Sequence, residues 1–82
     1  MKNIDRAAAA RRLTENEDFR TIVCLIEADI FEAFRNVDIG DTEALERTHQ
    51  LSHGFKLLNQ RIAKYIEIAK FEAEIASNSE DL

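Results

Sequence analysis

From Phe19 to Val37 apolar residues return every three or four positions. Phe19, Ile22, Val23, Ile26, Ile30, Ala33 and Val37 share one face when successive side chains turn by about 100°. A longer segment downstream repeats the rhythm, with Ala44, Leu51, Phe55, Leu58, Ile62, Tyr65, Ala69 and Ala76 on a common face. Between them, Asn36-Val37-Asp38-Ile39-Gly40-Asp41 is the one convincing stop. Gly40 can take a positive φ there, and Asp41 or Thr42 can cap the next helix. Upstream, Ala7 to Ala10 sit between Arg6 and Arg11, and their high helix propensity predicts a short first helix. Thr14-Glu15-Asn16-Glu17 reads as a capping box, in which the Thr14 hydroxyl accepts from the third amide on and Glu17 reaches back. The pattern therefore predicts one helical domain over 1–82, with helices at about 4–13, 15–37 and 42–77, a turn at 38–41 and a frayed tail at 78–82.

Folding the chain about that turn predicts a long antiparallel hairpin, all α and coiled-coil-like, in which residue numbers adding to about 79 lie level. Phe19 is then expected beside Gln60 and Leu13 beside Ile66. The second helix covers only half of the third, so the first helix is expected alongside the rest, after a kink or reversal at Thr14. Opposite the seam of the second helix lie Cys24, Leu25, Ala28 and Phe31, interrupted mainly by Thr21 and Arg35. A helix apolar nearly all round is usually covered on both sides. Either the first helix folds back over this strip or a second subunit does, and the second reading is preferred. Leu57, Ile68 and Ile75 widen the apolar face of the third helix and also want a neighbour. Gly54, which costs about 1 kcal/mol inside a helix, either admits Phe34 close to its backbone or is tolerated drift.

Composition sharpens this picture. No proline, two glycines and 33 % charged residues suit long helices, and 82 residues make a single core only marginally sufficient. A net charge of −5 argues against general nucleic-acid binding, which needs clustered Lys and Arg. The one basic knot, Arg6, Arg11 and Arg12, is offset by Asp5, Glu15 and Glu17. A single cysteine excludes an internal disulfide framework. With no apolar run of spanning length and no apolar core of a secretory signal at the start, no membrane partner is expected and the chain should be soluble and intracellular.

The only candidate chemistry is Glu46-x-x-His49-x-x-x-His53. Imidazoles at i and i+4 can share a zinc ion, and E-x-x-H is half of the carboxylate-bridged di-iron motif of helical bundles. These three residues fall opposite the seam, as does Glu32 at nearly the same level, whereas a di-iron site needs a protected interior. The motif is therefore read as a solvated face, with neither metal nor cofactor expected. Gln50 stands where a metalloprotease needs its glutamate base. No phosphate-binding glycine loop or nucleophilic triad is present, so an enzyme is not expected.

The order of the patches AAARRLTENEDFR (residues 8–20), IxxDIFEAF (26–34), GDTEALERTHQL (40–51) and LLNQRIAKYIE (57–67) resembles small acidic helical-hairpin proteins of tailed-bacteriophage head and packaging gene clusters. The resemblance runs from about Arg6 to Ile66. It implies virion assembly or a minor virion component, in the host cytoplasm or carried in the particle, and it transfers no site residues. The leading expectation is a non-enzymatic homo-oligomer that docks on a larger head, portal or packaging protein, anchored by Phe31, Leu25 and Cys24. The alternatives are an acidic inhibitor or anti-defence protein using Glu27, Asp29 and Glu32 to occupy a basic nucleic-acid site, a small DNA-packaging subunit using the first helix's arginines, and a ferritin-like metal hairpin.

Overall fold

The computed structural model describes residues 1–80, all-helical with no strand among the described residues. Helix α1 spans Asn3–Glu15, α2 Glu17–Arg35 and α3 Thr42–Glu80. Helix α3 continues as helix past Ser77, where fraying was expected, and Asp81 and Leu82 of the expected tail lie outside the described residues.

The break between α1 and α2 falls on Asn16 rather than Thr14. The Thr14 hydroxyl donates back to the Arg11 carbonyl at 3.1 Å and so belongs to α1. Asn16 alone leaves helical geometry, with φ −69° and ψ 123°. Its amide closes α1 on the Leu13 carbonyl at 3.2 Å, and its Oδ1 accepts from the Phe19 amide at 2.9 Å to open α2. Asparagine caps a helix at least as well as threonine, and this start puts Glu17 and Asp18 in the first turn, where the helix dipole favours them. Asn16→Ala should destabilise the protein by about 1 kcal/mol and Thr14→Ala by less than about 0.5 kcal/mol in urea titrations. The reverse order would return the cap to Thr14.

At the other junction, the Asp41 amide donates to the Asp38 carbonyl at 3.1 Å, closing a tight turn with Gly40 at φ 93°. That conformation favours glycine, and it is the third-position requirement of a type II turn. The Asp41 carboxylate then accepts from the Ala44 amide at 3.0 Å, so aspartate, not Thr42, caps α3.

From this turn α3 runs back antiparallel along α2 and then α1. Ile26 and Ile30 share a groove with Leu51, Phe55 and Leu58, and Leu13 of α1 shares a cleft with Ile62 and Tyr65. Near the far end, Asn3 Nδ2 donates to Glu72 Oε1 at 2.7 Å. Leu13 thus lies by Ile62 and Tyr65, within about a turn of the expected level of Ile66. The molecule is a rod with a long dimension of 62 Å and a radius of gyration of 18.2 Å, against about 12 Å for a compact chain of this length.

Only Ala7, Ala10 and Ile30 are buried among the described residues. Helix α1 lies against α3 more closely than α2 does. The reason is size: alanine faces let helix axes come to about 8 Å, whereas Ile and Phe hold them nearer 10 Å. The covered stripe of α3 is Ala44, Thr48, Ser52, Phe55, Asn59, Ile62, Ile66 and Ala69, with Tyr65 at its edge, all half-buried. Leu51 and Leu58, expected in the seam, are 59 % and 58 % exposed, Ala76 is exposed, and on α2 so are Ile22 and Ile26. The apolar band of α3 is two seven-residue rows wide, and the single arm beside it covers the row through Phe55 and Ile62 while leaving the row through Leu51 and Leu58 open.

Candidate interaction surface

Cys24, Leu25, Ala28 and Phe31 are all exposed on the outer side of α2, Phe31 by 71 % and Leu25 by 55 %. Helix α1 does not fold back over them; its covered alanines face α3. Leu57 and Ile75 are likewise exposed, and Ile68 is half-buried. Ile68, Phe71 and Ile75 form an apolar patch on the C-terminal half of α3, edged by Lys64, Glu67 and Glu74. The structure therefore leaves both the strip on α2 and the flank of α3 open to a partner.

A further apolar surface was not singled out by sequence. The groove between α2 and α3 is floored by Ile30 and Phe55 and walled by Ile26, Leu51, Gly54 and Leu58, with Asp29 and Gln50 at its polar margin. Periodicity had assigned Leu51, Leu58 and Ile26 to the intrachain seam, which concealed their availability. Gly54 lies on this side with no atom within 4 Å of where a Cβ would stand. Phe34 does not approach it, so no intrachain contact offsets the glycine's helical cost.

Few polar forces bind the helices together. Among the described residues the three ion pairs, Arg35 to Glu32 at 3.9 Å, Arg47 to Glu43 at 3.9 Å and Lys64 to Glu67 at 3.6 Å, each join neighbours on one helix. Such exposed pairs contribute about 0.2–0.5 kcal/mol. The Arg61 guanidinium lies 5.2 Å from the centre of the Tyr65 ring, again along one helix. The Asn3–Glu72 hydrogen bond is the only side-chain hydrogen bond between helices among the described residues.

Glu46, His49 and His53 stand exposed on α3. Among the described residues no group of three or more His, Cys, Asp or Glu is placed to hold a metal ion. Glu32 lies beside Cys24, Phe31 and Arg35 on the outer side of α2, away from the seam. Arg6, Arg11 and Arg12 are exposed, and Arg6 borders the cleft of Leu13 and Ile62. No described helix is long and apolar enough to cross a membrane.

The surface area measures the shortfall of the core. The chain exposes 6915 Å², whereas a compact folded monomer of 9.4 kDa exposes about 5,000 Å². The surplus of roughly 1,900 Å² exceeds the 800 Å² or so that each partner contributes to a standard protein interface. Comparison of the chain with protein-family models, characterised proteins and solved structures finds no match.

Proposed function

We propose that this chain is a non-enzymatic protein–protein interaction module that works as a homo-oligomer docked on a larger protein. The observation that carries the reading is the surplus of exposed surface, together with the exposure of large apolar side chains such as Phe31, Leu25, Leu51 and Leu58. A helical chain whose large side chains stay half in water gains most of its hydrophobic stabilisation on association. Phe31, with Cys24 and Ala28 beside it, supplies the anchor for the larger partner, since exposed aromatic side chains that fill a partner's pocket commonly dominate binding energy. The resemblance of the patch order to phage head and packaging proteins supports a capsid, portal or packaging component as that partner, met in the host cytoplasm during virion assembly.

Absolute mass by size-exclusion chromatography with light scattering, from low to high micromolar, tests the self-association. A dimer or larger species is expected, unchanged by chelator or zinc. A strict monomer at every concentration overturns the homo-oligomer, and assembly that needs zinc transfers attention to His49 and His53.

A further inference from the structure

We infer that a second copy of the chain seats on the α2–α3 groove, so that α2 of each copy packs antiparallel against α3 of the other in a two-fold, four-helix arrangement. The inference rests on the homo-oligomer proposed above and specifies which surfaces meet. Two exposed rows carry it. On α2, Asp18, Leu25 and Glu32 recur every seven residues; on α3, Arg47, Gly54 and Arg61 do the same, and all six are exposed. One row is acid, knob, acid; the other is base, gap, base.

The rows have the same span and match when antiparallel. Asp18 falls opposite Arg61, Leu25 opposite Gly54 and Glu32 opposite Arg47. The fold itself sets this register. A two-fold axis parallel to the helices leaves each residue at its own height, so residues level within a chain stay level across the interface. Asp29 shares the groove with Gln50 and Gly54. Leu25, one turn further from the loop, therefore reaches the height of Gly54 to Leu58, and Glu32, one turn nearer the loop, approaches that of Arg47.

Between the rows, Ile22 and Ile26 of one copy meet Leu51 and Leu58 of the other, covering the heptad row that the intrachain partner leaves open. Leu25 enters the space beside Gly54, which accounts for a glycine in mid-helix with nothing near it. Glu32 and Arg47 leave weak local pairs of 3.9 Å, exposed to solvent, for cross-subunit ones. The surplus of roughly 1,900 Å² of total exposed surface is ample for an interface of this size. Pairing α3 with α3 through Gly54 is disfavoured, because it sets Arg47 against Arg61. Phe31 lies six residues from Leu25, about 120° round α2 at about 100° per residue, and stays free for the larger partner.

Charge exchange at the two rows tests the pairing. Variant one carries Asp18→Arg and Glu32→Arg; variant two carries Arg47→Glu and Arg61→Glu. Each alone should dimerise at least about tenfold more weakly than the original chain in low salt, from four lost cross-subunit pairs. Mixed, they should form a heterodimer of near-original strength, since each acidic row again faces a basic one. Gly54→Leu, favourable to the isolated helix, should weaken the dimer. Reversed variants that dimerise normally, or that stay apart when mixed while retaining helical circular dichroism, overturn this pairing and leave a homo-oligomer intact. Should a reversed variant lose its helical signal, Gly54→Leu decides, and a dimer of original strength overturns the pairing. An original chain that is monomeric throughout overturns the homo-oligomer as well.

Discussion

Diluting the protein a hundredfold should lower its thermal unfolding midpoint by about 8 °C, if a dimer is the folded species. Mass action removes about 2.7 kcal/mol per dimer over that range, and a folding unit of this size shifts by roughly 2–4 °C per kcal/mol. The expectation follows from the core: three buried residues, two of them alanine, cannot offset the conformational entropy of 80 ordered residues by intrachain contacts alone. Circular dichroism melts at several concentrations measure the effect. Superimposable melts would mean that the rod folds as a monomer.

The second large effect is expected at Ile30. Among the described residues it is the one large apolar side chain below a tenth exposed, and it shares the floor of the α2–α3 groove with Phe55. Ile30→Ala should cost about 2–5 kcal/mol through lost transfer energy and the cavity left behind, enough to unfold a chain of this size near room temperature. Phe31→Ala, one residue along, removes a side chain that stands in water and should change the stability of the purified protein by less than about 0.5 kcal/mol. Denaturant titration separates the two. Equal losses would mean that Phe31 is covered in solution, placing it inside a self-interface rather than on a face reserved for another protein.

Much of the fold was legible residue by residue. The alanine run, the turn at Gly40 and a cap at Asp41 or Thr42 each act within a few positions of themselves, and propensity and capping rules are built for that range. Thr14 misled because Thr14-Glu15-Asn16-Glu17 offers two capping side chains two residues apart. Choosing between them requires knowing whether the hydroxyl turns back to Arg11. Helix propensity accounts for the alanines' helix but not for their packing; Ala7 and Ala10 lie three apart and so share a face, which is the sequence sign of a close helix contact. The strip from Cys24 to Phe31 was visible as apolar residues on the wrong side of a helix. The open groove was not, since Leu51 and Leu58 fit the seam pattern equally well.

The sequence by itself determined three helices, their tight turn and the excess of apolar side chains over what two short arms can cover, because these arise from local backbone preferences and residue counts. Only the tertiary structure decided which apolar row of α3 is covered, how closely α1 approaches it and which groove stays open. Those outcomes depend on helix rotation and axis separation, and both are set jointly by the side chains of two elements far apart in the chain.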